Sequence, residues 1–286
     1  MSCSVGNPAR ASNRFPSNKK TAKRLMLSFA LPPALEPFRE KWLATRMPFV
    51  RVCAQPERPT SWWESKVGGL PYLPRGVAYP TTPEGKPLFF LAQLNFADMP
   101  PLPPFPEAGI VQFYIDDDDL YGMDLDNGEN QAHFRVCYFP APLLEEKDLQ
   151  TDVQPPLEYD LLPHHPEHSY PLSFERAEEV APITDYRFWQ HFGVDFFLAF
   201  GDAEWDLQDA VGRALRSDGH KVGGYAYFTQ DDPRRPSDPM LLLFQLDSDE
   251  QMDLMWGDMG VGHFFIREHD LNARRFDRVL YDWDNL

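Results

Sequence analysis

The sequence predicts an α+β protein built mostly on antiparallel sheet, with an internal duplication giving two lobes related by a pseudo-two-fold axis. Three observations predict it. First, similar blocks recur in order. Ser65–Leu73 (SKVGGLPYL) resembles His220–Phe228 (HKVGGYAYF), Leu88–Asn95 (LFFLAQLN) resembles Met240–Asp247 (MLLLFQLD), and Gly109–Ile115 resembles Gly260–Ile266. The offsets are 155, 152 and 151 residues, and two copies are too few for a solenoid. Second, the recurring apolar runs are short and bounded by turn residues, as buried strands are. Third, 29 of 286 residues are proline, about twice the usual share of about 5%, which argues against a long-helix bundle.

The elements follow in chain order. Pro33 to Thr45 places Leu35, Phe38, Trp42 and Leu43 on one helical face. Strands are expected at 88–96 and 109–115. Phe134–Phe139 alternates and should pair antiparallel with 109–115 across a long connection carrying Asp116 to Asp119 and Asn127-Gly128. Residues 141–183, rich in Pro and Glu, read as a link between lobes. Thr184 to Phe200 is a helix candidate interrupted by Gly193. Asp202 to Arg216 is another, with Asp202 as N-cap and Arg213 and Arg216 late, where they suit the helix dipole. Second-copy strands are expected at 240–247 and 260–266. The domain expectation is a disordered basic tail over 1–25, then one domain over 26–286. Its lobes would span about 48–140 and 202–286, with a connector at 141–201.

Net charge is −17, and residues 1–25 hold six basic residues and no acid. The rest therefore carries −23, which repels phosphate backbones and anionic lipid and excludes nucleic-acid binding as an expectation. A basic protein partner stays compatible with that charge. No apolar run approaches the roughly 18 residues of a membrane span. The basic start followed by Leu25–Leu31 has the order of a secretory signal. Its apolar part is too short, however, and Pro32-Pro33 ends it without a small-residue cleavage site. Met26 is an alternative start. Three scattered cysteines, Cys3, Cys53 and Cys137, form neither a disulfide framework nor a zinc ribbon, which fits a reducing cytoplasm.

Several strings resemble the bacterial YwqG-like family. They are Trp63–Pro74 (WESKVGGLPYLP), Leu91–Phe96 (LAQLNF), Asp119–Gly122, Phe134–Tyr138, Gly219–Gly224, Trp256-Gly257-Asp258, and Asp270-Leu271 followed by Phe276. The resemblance covers roughly residues 30–286, while the basic tail departs from it. It implies a soluble bacterial α/β protein whose function is unknown, and no catalytic residue or cofactor. Some members lie near secreted-toxin systems, so the resemblance is compatible with an immunity or antitoxin role.

The residues that carry chemistry divide into a few sets. Lys66 and Lys221 each precede a glycine pair and could grip an anion, or the pair could simply bend the sheet. Gln93 and Gln245 lie inside apolar strands, where a buried amide must be hydrogen-bonded. They would bind a ligand or clamp a loop. His164, His165 and His168 are interrupted by Pro166, so a solvated loop is expected there rather than a metal site. Asp116–Asp119, Asp124 and Asp126 are oxygen-rich but miss the calcium-loop register. His220 replaces Ser65 of the first copy, which makes it the leading functional residue; Gln230, Trp256 and Asp258 also fall in the second copy, and an Asp that met the imidazole could do acid–base work. Neither a phosphate loop nor a serine elbow is present. The expectation is a binding module without cofactor or metal. Its ligand, a small molecule or a basic protein, would sit between the lobes against Lys66, Gln93, His220, Lys221, Gln245, Trp256 and Asp258. The competing readings are a hydrolase using His220 with an acid, and an acidic antitoxin.

Overall fold

Pro33 and Pro37 lack the N–H groups an α-helix needs. The first element among the described residues is therefore a 3-10 turn over Pro33–Phe38, and α1 (Arg39–Leu43) forms only beyond it. The computed structural model describes residues 29–153 and 159–286, and the expected tail at 1–25 lies outside them. After α1 come β1 (Met47–Ala54), β2 (Lys66–Gly68), β3 (Phe89–Asn95), β4 (Ile110–Ile115), β5 (Phe134–Phe139) and β6 (Ser169–Glu179). Then follow α2 (Tyr186–Phe192), α3 (Glu204–Ala214), β7 (Lys221–Gly223), β8 (Leu241–Asp247), β9 (Val261–Ile266), α4 (Glu268–Asn272) and β10 (Leu280–Asp284).

The strands form one sheet in the order β10-β9-β8-β7-β1-β6-β2-β3-β4-β5. Every pairing is antiparallel, and Phe134–Phe139 pairs with β4 as its alternation predicts. The sheet curls until its edges almost meet. Tyr281 N–H donates to the Gly128 carbonyl at 2.8 Å, and the Tyr281 and Phe134 rings lie 5.1 Å apart. Its inner faces pack together, with Phe113 of β4 against Phe244 of β8 and Phe264 of β9 at 5.0 and 4.5 Å.

Register repeats across the sheet. β2 sets Lys66 opposite Gln93, and β7 sets Lys221 opposite Gln245. Gln93 faces Gln112, Gln245 faces His263, and β3 and β8 shift register at the matching residues, Leu91 and Leu243.

Two expectations need correction. The segment 141–201 is not merely a connector, because β6 lies within it and pairs with β1 on one side and β2 on the other. Its Pro and Glu content hid the alternation. Tyr170, Leu172 and Phe174 pack toward the core while Ser173 and Glu175 face outward, and Pro171 still offers its carbonyl to Gln55 N–H at 2.8 Å. Asp202 is not an N-cap either. A 3-10 stretch over Phe197–Ala203, kinked at Gly201, runs straight into α3, and Ala203 occupies the cap.

Helices α1 to α3 shield a second core on the outer side, where Trp42 packs on Phe188 and Phe192. A buried ionic knot ties α2 to the β7–β8 loop. Asp185 caps α2, and its carboxylate binds Arg187 Nη2 at 2.6 Å and Arg234 Nη2 at 2.7 Å. Arg234 also holds Asp232 at 2.8 Å and stacks over Phe265. Burial alone would raise the Asp185 carboxyl, but the two guanidiniums hold it well below the usual carboxylate range.

A depressed folded-state pKa stabilises fully above the unfolded value of about 3.9 and is lost as pH falls. Asp185→Asn should therefore lower stability at pH 7 by about 3–5 kcal/mol. In urea unfolding the gap between the two proteins should narrow below about pH 4.

Candidate functional site

The two strand glutamines are the most constrained polar side chains in the sheet. Gln93 donates through Nε2 to the Trp62 and Glu64 carbonyls, both at 2.8 Å, and its Oε1 accepts Tyr72 N–H at 3.0 Å. Gln112 beside it donates to the Tyr72 carbonyl at 2.7 Å. Gln245 donates to the Ser217 and Gly219 carbonyls at 3.0 and 2.8 Å and accepts Tyr227 N–H at 2.9 Å. His263 donates to the Tyr227 carbonyl at 2.6 Å. Each glutamine thus pins the loop entering its short strand to the loop leaving it. Burial pushes His263 down to about 3, so the ring works as a neutral donor in the place where Gln112 works as an amide.

The lysines sit beside these clamps. The glycine pairs adopt positive φ, between +67° and +75°, which turns the chain sharply after β2 and β7. Lys221 is buried and bound to Glu179 at 2.8 Å and the Tyr225 carbonyl at 3.1 Å. Lys66 is as deeply buried, yet among the described residues its hydrogen-bond acceptor is the Ser61 carbonyl alone, at 2.7 Å. Burial pushes its ammonium down to about 7, with Glu64 opposing weakly.

His220 borders a cleft of about 590 Å³ between β1 and the ends of β7 and β8. Its Nδ1 accepts Asp247 N–H at 3.0 Å, and Nε2 contacts Asp249 Oδ2 at 3.0 Å. The tautomer follows: with Nδ1 an acceptor, the proton sits on Nε2 and points at the carboxylate. Ser65 makes the matching bonds in the first half, accepting Asn95 N–H at 2.9 Å and donating to Asp98 at 3.0 Å. The substitution that singles out His220 in the sequence thus preserves one structural task. Arg51 and Cys53 of β1 share the cleft with Lys221 and Glu179.

The seven residues do not converge on one cavity. His220 and Lys221 line the cleft, whereas Lys66, Gln93, Gln245 and Trp256 are fully buried apart from it. Trp256 packs against Tyr121 and Trp283. Asp258 is exposed, and its carbonyl receives the Leu286 N–H. The acid that meets His220 is Asp249, not Asp258. Sequence reasoning also missed Asp249, although Asp98 and Asp249 share the 151-residue offset of the third block.

The histidine cluster is not solvated as expected. His164 is buried over Gly68, its Nδ1 near the Met252 carbonyl at 3.2 Å, and burial pushes it down to about 4. Asp116, Asp118 and His133 bring ligand atoms within 4.8 Å of one another. Asp116 is already bound by Lys86 at 3.0 Å and His133 at 2.8 Å, and Asp118 caps the Leu120 and Gly122 N–H groups. The acidic hairpin is thus organised by its own turns. No helix among the described residues is long and apolar enough to cross a membrane.

These features define an α+β protein on one antiparallel sheet, with two repeated polar clamps and one charged cleft. The chain belongs to the family described as Domain of unknown function (DUF1963), which matches residues 65–285. No curated protein matches it.

Lys66 and Lys221 should respond oppositely to removal. In the unfolded chain a lysine keeps its proton to about pH 10.4, whereas folded Lys66 releases it near 7. Unfolding takes up a proton between those values, so wild-type stability rises with pH across that window. Lys66→Met should raise stability at pH 6 by about 1–4 kcal/mol, and the advantage should shrink by pH 9. Lys221→Met takes the cation from Glu179, which is only partly buried at the cleft, and should cost up to about 3 kcal/mol. Gln245→Leu strands one N–H and two carbonyls and should cost upwards of about 3 kcal/mol. Urea unfolding at both pH values measures all three.

Proposed function

We propose that the protein is a non-catalytic small-molecule binding protein of the bacterial cytoplasm, a YwqG-like member of its family, built from two copies of one unit. Its site is the cleft between β1 and the ends of β7 and β8. The repeated blocks, the matching registers and the matching clamps support the duplication. The free Cys53 and Cys137 support a reducing compartment. The observation that carries the site is its chemistry. Five acids and three basic residues line about 590 Å³ of open space, presented by β1, β6, β7 and the turn after β8.

Such a surface suits a ligand that carries both signs, an amino acid or short peptide. Arg51, half-exposed on β1, engages Glu175 through Nη1 alone at 3.2 Å and keeps its other guanidinium N–H groups for a ligand carboxylate. Asp247 and Asp249 offer oxygens to an ammonium. A hydrolytic reading fits less well, because both His220 nitrogens are engaged and a general base needs one free.

The test is a thermal-shift titration with free amino acids and dipeptides, alongside native mass spectrometry of protein purified from its own cells. A matching zwitterion at about 100 times its dissociation constant adds about 2.7 kcal/mol, or several degrees of melting temperature. Arg51→Ala should reduce the shift at least tenfold in apparent affinity while leaving the unliganded melting temperature unchanged. If no zwitterion shifts melting, or if Arg51→Ala binds as wild type does, the reading fails.

A further inference from the structure

A second cavity, of about 490 Å³, lies in the first half of the sheet and shares no lining residue with the cleft. We infer that it is a site for a small organic ammonium ion, with Trp62, Leu70 and Pro59 enclosing the alkyl groups and Glu57 and Glu167 balancing the charge. Trp62, Leu70 and Pro59 give it an apolar wall. Its polar base is self-satisfied, because Thr60 Oγ1 and Ser169 Oγ bond each other at 2.8 Å.

The charges decide the ligand. Glu57 and Glu167 stand exposed at the rim, and neither has an ion-pair partner among the described residues. Arg58, the basic residue of the rim, is taken up by Glu64. A metal ion would find too few oxygens here, and an anion would meet two carboxylates. A weakly hydrated ammonium gains from the carboxylates and from an indole at once.

The wall is also built in advance. Gln93 holds the Trp62 carbonyl at 2.8 Å, Lys66 holds the Ser61 carbonyl at 2.7 Å, and the Trp62 indole N–H reaches Glu146 at 3.4 Å. Opposite it, Gly69 at φ +71° passes so close that a Cβ would lie 2.6 Å from Ser169 Oγ. A loop fixed before binding loses little freedom on binding.

The experiment is NMR titration of the full chain with choline and with 3,3-dimethylbutan-1-ol, its neutral isostere, following the backbone amide signal of Leu70, which lines the cavity and is kept in every variant. Choline should move that signal saturably and bind at least tenfold more tightly than the alcohol. Trp62→Leu should abolish choline binding, Trp62→Phe should retain part of it, and the Glu57→Gln/Glu167→Gln double variant should weaken it at least fivefold. Thermal shifts by zwitterions at the cleft should be unchanged in all three variants, which separates the two sites. Equal binding of choline and the alcohol, no response to either, or choline binding unaffected by Trp62→Leu and by the double variant would overturn the proposal.

Discussion

Two buried side-chain amides govern the rest of the structure. β2 and β7 are three residues long, too short to hold the flanking loops by ladder bonds alone. A glutamine on the neighbouring strand supplies what the ladder lacks. Gln93 and Gln245 each tie the carbonyls before the short strand to the N–H after the glycine pair. An unmet buried polar group costs about 1–3 kcal/mol, so each clamp secures several such groups with one residue. Both cavities are bordered by loops the clamps hold: 57–62 by Gln93, and 216–220 by Gln245.

Around these matching clamps the two halves differ in chemistry. Gln112 and His263 do one job, as do Ser65 and His220. The lysines diverge. Lys221 meets Glu179 from β6, whereas Lys66 has a lone carbonyl acceptor among the described residues. One half therefore carries a compensated buried charge, and the other a lysine whose ammonium is poorly solvated. The cavities differ in the same way: ion pairs line the cleft of the second half, and an indole and aliphatic groups line the pocket of the first.

The strands at 88–96, 109–115, 134–139, 240–247 and 260–266 were legible because continuous burial forces apolar runs, and turn residues bound them. β1 and β6 were not. β1 carries only one clear in–out alternation, around Arg51, and the Pro and Glu of β6 resemble loop composition. The glutamines were legible as residues needing partners, but not as clamps, since their partners are backbone groups 18 to 31 residues away. His220 stood out by differing from Ser65. The sequence could not show that both side chains make the same pair of bonds, because a hydroxyl and an imidazole share that geometry only in three dimensions.

The position of β1 has a consequence for how the chain is made. This strand precedes every repeated block, yet it pairs with β7 through Arg51 and Lys221, which lie 170 residues apart in sequence. It also joins β6, and the β1–β6 pair forms the central seam between the two halves of the sheet. During synthesis β1 leaves the ribosome early and waits for most of the chain before its second neighbour exists, which places folding late and makes it a whole-chain event. The family match begins at residue 65, after β1. A fragment cut to those bounds would lose the seam, expose two strand edges, and leave the charged cleft without one of its walls.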